Sequence, residues 1–368
     1  MKRHRVYFFF TLIFLIIMVT PTELLWATNE GGGDAWAFMK MGIGARAISM
    51  GGAFVAIADD ASAAYWNPAG LGLLTKRELT VMGVGSLSNS DDPSASGIGG
   101  SHNYIGICYP TKFVNIGISS NFFSIGGIQY TTGTSELDFR RISGQDQQDT
   151  ELALTNSYGI VFPLASPKES AWIFFGINIR YMQQHFFGLS TNGFGGDAGF
   201  IIRIKKEDKL WILRNPLGNF RLGYVFRYNF ERKWKDVTGH QEKISESYVD
   251  PTTTNWQWGI AWEPTGNLTT ALSLINNNKG APLTLSIGAE LKTPLPLNPA
   301  IRAGVDNWKI QKRNSSDKIW KVTRFKGSRY TVGAGIILPI PQVIAQLDYA
   351  ASFETLTSKH QISLTFRY

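Results

Sequence analysis

From residue 78 to the C-terminus the chain is written largely in a period of two. In Phe220–Phe230 the even positions are Phe220, Leu222, Tyr224, Phe226, Tyr228 and Phe230, and the odd ones are Arg221, Gly223, Val225, Arg227 and Asn229. Trp256, Trp258, Ile260 and Trp262 oppose Gln257, Gly259, Ala261 and Glu263. Ile301, Ala303 and Val305 oppose Arg302, Gly304 and Asp306, and the last residues repeat the pattern with Ile362, Leu364, Phe366 and Tyr368 against Gln361, Ser363, Thr365 and Arg367. A two-residue period is the mark of a β-strand with unlike faces. It predicts strands over 78–86, 103–109, 113–123, 151–163, 171–185, 194–204, 219–230, 255–262, 268–275, 283–291, 300–307, 329–338, 343–352 and 359–368. Every second connection carries proline (Pro110, Pro163 with Pro167, Pro216, Pro264, Pro294 with Pro296 and Pro299, Pro339 with Pro341). The connections between them include the long polar stretches 87–102, 124–150, 231–254 and 308–328. Tight proline-stiffened turns at one end and long loops at the other are the asymmetry of a membrane β-barrel.

The faces decide between a barrel and a soluble sandwich. One face of nearly every strand is bulky and apolar, and the other is small or charged. Ions are seldom buried in a packed core, whereas a hydrated lumen accommodates them. Arg180, Arg221, Arg227, Arg302, Asp306 and Asp348 are therefore candidate lumen charges, with Glu263, Glu290 and Arg367 beside them. They can pair across the lumen or tie down what lies in it, and an arginine fork can also hold the carboxylate of an amphipathic ligand. The fold expected is an all-β membrane protein, a 14-stranded antiparallel transmembrane β-barrel with a small N-terminal plug.

The first 77 residues do not alternate. Residues 1–27 have the form of an export signal: Lys2, Arg3 and Arg5, then an apolar run from Val6 to Val19 too short to span a bilayer as a helix, then small residues around Ala27. Residues 28–77 are expected to be the plug, and 78–368 the barrel. Within the plug, Gly51-Gly52 interrupts a run of small residues that can form one or two short helices around Asp59-Asp60 and Asn67-Pro68. Small side chains allow close backbone packing in a confined lumen. Pro68 fixes its own φ and pushes Asn67 toward an extended conformation, so Asn67-Pro68-Ala69 reads as a stop that turns the chain toward the first strand. Asp59-Asp60 reads as a cap or as a salt bridge to a lumen arginine.

Three stretches carry a family likeness: Gly44-Ala45-Arg46-Ala47, Met50-Gly51-Gly52-Ala53-Phe54-Val55-Ala56 with Ala58-Asp59-Asp60-Ala61-Ser62-Ala63, and Tyr65-Trp66-Asn67-Pro68-Ala69-Gly70-Leu71. They resemble the N-terminal region of the PorV/PorQ family and, more loosely, the hatch of FadL-type fatty-acid channels. Leu347-Asp348-Tyr349-Ala350 and residues 360–368 look like the family's last two strands, while 87–340 matches in strand pattern alone. The resemblance implies a fourteen-stranded plugged barrel in the bacterial outer membrane, with Phe366 and Tyr368 as part of an insertion signal. It leaves two readings of function: passage of small hydrophobic compounds, or service to an apparatus that secretes proteins and attaches them to the cell surface. The partners implied are outer-membrane lipid and either a small hydrophobic ligand or exported proteins.

Composition narrows this further. Aromatics make up 13% of the chain and charged residues 17%, with 38 glycines and 11 tryptophans. The formal charge of +8 becomes +6 once the three basic residues and Glu23 of the signal are removed, and that excess lies mostly in loops, so nucleic acid is not an expected partner. The lone Cys108 permits no internal disulfide. Gly42-Ile43-Gly44 lacks the strand–helix unit of a dinucleotide site, the histidines at 102, 185, 240 and 360 lack zinc spacing, and no G-x-S-x-G elbow occurs. No cofactor, metal or enzymatic activity is expected.

Overall fold

The computed structural model describes residues 37–87, 99–128, 131–132, 140–141, 147–163, 172–186, 189–205, 218–230, 232–233, 235–236, 249–250, 253–277, 283–312, 320–322, 328–353 and 358–368. The expected signal (1–27), the first residues of the expected plug, and Trp211-Ile212-Leu213 in the long turn-side connection lie outside them.

Fourteen long strands form the wall. They are β1 (Glu78–Leu87), β2 (Gly99–Tyr109), β3 (Asn115–Ile128), β4 (Gln147–Pro163), β5 (Trp172–Phe186), β6 (Leu189–Ile204) and β7 (Asn219–Asn229). The second half consists of β8 (Thr253–Thr265), β9 (Leu268–Asn277), β10 (Leu283–Lys292), β11 (Ala300–Lys312), β12 (Arg329–Ile340), β13 (Val343–Phe353) and β14 (Ser358–Arg367). Each strand pairs antiparallel with its sequence neighbours, β6 pairs β7, and β14 pairs β1 along Glu78↔Arg367 to Leu87↔Ser358, which closes the ring. Two short pieces, Lys235–Asp236 on β6 and Trp320–Val322 on β11, extend the sheet. Closure leaves no unpaired edge, which a wall facing lipid requires.

The period of two sorts the side chains as expected. Ile301, Ile118, Ile179 and Ile362 point outward and are 64%, 61%, 56% and 55% exposed, whereas Arg302, Ser119, Arg180 and Gln361 on the same strands are buried inside. Such an outer surface would be an aggregation hazard in water and is the ordinary lipid-facing side of a barrel. Among the described residues no helix is long and apolar enough to cross a membrane. The prolines fall where the ladder ends: Pro163 closes β4, Pro339 lies in the last turn-side residues of β12, and Pro264 lies in the register shift between Trp262 and Thr265.

Several strands run further toward the loops than the alternation predicts. β2 begins at Gly99 rather than 103, β3 runs to Ile128 rather than 123, β4 begins at Gln147 rather than 151, and β5 and β6 leave only 187–188 between them. The β2 and β4 extensions, Gly99-Gly100-Ser101-His102 and Gln147-Gln148-Asp149-Thr150, hold no apolar side chain, so the apolar signal fades while backbone pairing such as Gly99↔Gly126 continues. β11 also continues past 307, through a bulge at Asn307, where φ is 57°.

Residues 37–74 lie inside the ring. They form a 3₁₀ turn (Ala37–Lys40), α1 (Ala45–Ser49), α2 (Ala63–Trp66) and a second 3₁₀ turn (Pro68–Leu73). Nearly all are buried, and Phe54, Met50, Ile48 and Leu71 are almost wholly so. The short helices thus flank Asn67-Pro68 as expected, while Asp59-Asp60 falls in the irregular stretch between them.

Candidate functional site

The inner segment meets the wall along a belt of glycines. Gly159 on β4 pairs with Gly176 on β5, Gly176 with Gly199 on β6, Gly223 on β7 with Gly259 on β8, and Gly288 on β10 with Gly304 on β11. A Cβ at Gly176 would overlap the Pro68 carbonyl carbon and Ala69 N, and one at Gly199 would overlap the Asn67 side chain. At Gly223 it would lie 2.6 Å from the Val55 carbonyl oxygen, and at Gly304 it would collide with Met50 and Gly51. The wall omits side chains along the line where the segment's backbone presses on it.

The segment's own turns explain its residue choices. After α1, Gly51 N–H donates to Ile48 O and Gly52 N–H to Ala47 O, at 2.9 and 3.0 Å, with φ of 64° and 69°. This is a Schellman closure, which favours glycine at the left-handed positions. Gly51 also lies so close to the Val305 and Ile287 backbone that no Cβ fits. At the end of α2, Asn67 is extended (φ −161°, ψ 109°), and its Oδ1 accepts from Ala69 N–H at 3.2 Å, with Pro68 opening the next turn. Its Nδ2 donates to the carbonyls of Val55, Phe200 and Tyr224 at 3.0 to 3.3 Å, so one side chain stitches two parts of the segment to β6 and β7.

Charged side chains form a second attachment. Seven of them alternate in sign from one side of the barrel, through the segment, to the other: Glu263, Arg221, Asp59, Arg46, Glu290, Arg302 and Asp348. The successive ion pairs are 2.8, 3.1, 2.6, 2.9, 2.7 and 2.8 Å long. Arg46 grips Glu290 with two nitrogens, Nε at 2.9 Å and Nη2 at 3.0 Å, and its third reaches Asp59 and Asp60. Burial opposes the charge on Arg46, but Asp59 and Glu290 hold its proton more firmly than usual. Burial likewise opposes ionisation of Asp59, yet Arg46 and Arg221 keep its carboxyl well below the ordinary carboxylate range. Asp60 turns back on its own chain and accepts from Ser62 N–H and Oγ–H at 2.9 and 2.5 Å.

The remaining lumen charges lie nearer the loop side. Arg180, 1% exposed, pairs with Asp197, whose other partner is Asn178 Nδ2 at 2.6 Å. Asn178 also donates to Ala64 O, and Arg227 to the carbonyls of Tyr65 and Trp66 at 2.6 and 3.0 Å, so the wall caps α2. Asp306 pairs with Arg329 and accepts from Ser286 Oγ–H at 2.6 Å. Thus Arg221 and Arg302 join the chain of ion pairs with Asp348, while Arg180, Arg227 and Asp306 form separate contacts. At the turn-side end, Arg367 donates to Glu78 at 2.6 Å. Phe366 is outward and opposite Leu79, and Tyr368 lies just past β14, joined to Arg77 by backbone hydrogen bonds of 3.1 and 3.2 Å.

Sequence reasoning passed over Arg46 and Asp197. Both left a signal: Arg46 is the one charge among Gly44, Ala45, Ala47 and Ile48, and a charge in a segment built to be buried needs partners. Asp197 sits in inward phase between Gly195 and Gly199, opposite in phase to Phe194, Ala198 and Phe200. Among the described residues no group of three histidine, cysteine or acidic side chains is placed to hold a metal.

No protein-family model matches the chain, and no curated protein matches it. Solved structures do resemble it. The Ralstonia pickettii toluene transporter TbuX aligns over 89% of this chain and 97% of its own, at 13% identity and a TM-score of 0.51. The TodX deltaS2S3 mutant, a monoaromatic hydrocarbon channel, covers 89% and 98% at 12% identity and 0.52, and the CymD monoaromatic hydrocarbon channel covers 89% and 96% at 11% identity and 0.50. At these identities the likeness is one of fold alone.

Proposed function

We propose that this protein is a bacterial outer-membrane channel that passes small hydrophobic compounds, with residues 37–74 as its plug. The observation that carries the reading is a closed barrel with an apolar outer face around a buried N-terminal segment, similar over nearly its whole length to hydrocarbon channels. Export by residues 1–27 supplies the route to that membrane. The plug blocks free diffusion, and passage requires part of it to shift. Asn67-Pro68-Ala69 is the natural pivot, because Pro68 sets the turn that Asn67 fastens to β6 and β7. The test is flux of labelled toluene and of a labelled medium-chain fatty acid into liposomes holding the protein. We expect flux with the native chain, and an altered rate with Pro68→Ala while the barrel keeps its heat-modifiable mobility.

A second reading has its own observation. The run from Gly44 to Leu71 resembles the N-terminal region of the PorV/PorQ family, which favours a component of a type IX-like secretion and surface-attachment system. On that reading vesicles show no flux, and a deletion strain strands surface proteins in the periplasm. That pair of results would replace the channel proposal.

A further inference from the structure

The turn-side end of β14, β1 and β2 carries cations unlike those inside the barrel. At this end Arg221 pairs with Glu263 at 2.8 Å, Lys292 with Glu290 at 3.3 Å and Arg367 with Glu78 at 2.6 Å. Lys76, Arg77 and Lys112 are exposed, and among the described residues none of the three has an acidic side chain as partner. Arg77 is nevertheless held in place. Its guanidinium lies 4.4 Å from the centre of the Tyr109 ring and donates through Nη2 to the Tyr109 hydroxyl at 2.7 Å. On its other side its backbone is paired with that of Tyr368, whose side chain is exposed. Lys112 follows in the β2–β3 turn, its ammonium 5.5 Å from the centre of the exposed Phe113 ring.

Register places this cluster at the edge of the lipid-facing surface. Glu78 points into the lumen, so Arg77 points outward, in phase with Leu79, and Tyr109 is in phase with the exposed Ile107. One outward row therefore reads Tyr368, Arg77, Tyr109 and Ile116, and the next, deeper in the membrane, reads Phe366, Leu79, Ile107 and Ile118. A cationic row bordering an apolar one fits an anion that carries a hydrocarbon tail. A soluble anion gains nothing from the second row.

The turn side of an outer-membrane barrel faces the periplasm. We propose that Arg77, Lys112 and Lys76 bind the phosphate of an anionic phospholipid in the periplasmic leaflet, with its acyl chains over Leu79, Ile107 and Ile118. Tyr109 occupies one N–H of Arg77 and leaves the rest of the fork for phosphate oxygens, which a guanidinium binds two at a time. Stacking on the ring fixes the fork before the lipid arrives, so less side-chain freedom is lost on binding. Charge decides between headgroups. Lys76 and Lys112 repel the ammonium of a zwitterionic lipid and attract a headgroup that is negative overall. The site depends on the barrel's place in the outer membrane and on neither reading of what its lumen does.

The test is retention of lipid by the full chain, taken into mild detergent from nanodiscs that hold equal parts of phosphatidylglycerol and phosphatidylcholine, and read by native mass spectrometry. The native chain should retain phosphatidylglycerol in preference to phosphatidylcholine. Lys112→Gln, in an exposed turn, should lower that retention about five-fold, and Arg77→Gln with Lys112→Gln at least ten-fold, with heat-modifiable mobility unchanged. Lys292→Gln removes a turn-side cation that already has a carboxylate partner, and should retain the lipid as the native chain does. Millimolar inorganic phosphate should not displace it. Equal retention of the two lipids by the native chain, undiminished retention in Lys112→Gln, an equal loss in Lys292→Gln, or displacement by inorganic phosphate would each overturn the proposal.

Discussion

At the scale of single residues, Asp59 shows how a buried charge becomes a fastener. It receives Arg46 from the segment and Arg221 from β7, and through them it is linked to Glu290 and Glu263 on the opposite sides. Such a chain adds little net stability when formed, because desolvation offsets attraction, but removing a member strands the rest and costs about 3–5 kcal/mol. Its pH behaviour follows from sign. The folded-state carboxyl of Asp59 lies well below its ordinary value of 3.8, so its contribution is fully present above that value and is lost as pH falls below it. Amide hydrogen exchange across residues 44–52, corrected for intrinsic rates, should be equally slow at pH 8 and pH 5 and should quicken only below about pH 4. Loss of protection between pH 7 and 5 would show that Asp59 is not the fastening group.

At the scale of elements, the glycine belt makes a prediction that separates the wall from its contents. Valine suits a strand, so Gly176→Val should leave β5 paired with β4 and β6. Its side chain, however, must occupy the space of Pro68 and Ala69. The expected outcome is a heat-modifiable barrel in which trypsin cuts after Arg46, a residue sealed in the native protein. Gly126→Val on β3, where a Cβ meets nothing within 4 Å, should remain uncut; equal protection of both variants would mean that the belt does not seat the segment. This belt was not legible as such in the sequence. Gly223 and Gly259 were visible as small inward residues, but which glycines align across strands depends on register, and register depends on pairing that a linear pattern does not state. The count and phase of the strands were legible, because one face had to be apolar wherever the wall meets lipid. Where that demand lapses, as at Gln147-Gln148-Asp149-Thr150, the alternation lapses too, although the strand goes on. Arg221, Arg302 and Asp348 could be assigned to the lumen by phase alone, whereas the pairings of Arg221 with Asp59 and of Arg302 with Asp348 required the fold.

At the scale of the whole molecule, dependence runs one way. The ion pairs Arg180–Asp197, Arg221–Glu263, Arg302–Glu290 and Arg302–Asp348 join wall to wall, and the backbone ring is complete without the segment. The segment, by contrast, takes its helix cap from Asn178 and Arg227, the anchoring of its last turn from Asn115, and its counter-ion for Arg46 from Glu290. Its helices are four and five residues long, far below the length at which a helix stands alone in water. Removing residues 37–74 should therefore leave a folded barrel whose inner charges are hydrated rather than stranded, since water replaces the contacts that the segment made. The lumen of that variant is lined by Arg180, Arg221, Arg302, Asp197, Asp348 and Glu290, a surface that admits ions. In planar bilayers the full chain should be closed to small ions and the deletion variant should conduct in steady open steps, with both forms shifting mobility on heating. A deletion variant that never folds would show that the wall depends on the segment after all, and a full chain that conducts equally well would show that residues 37–74 do not seal the barrel.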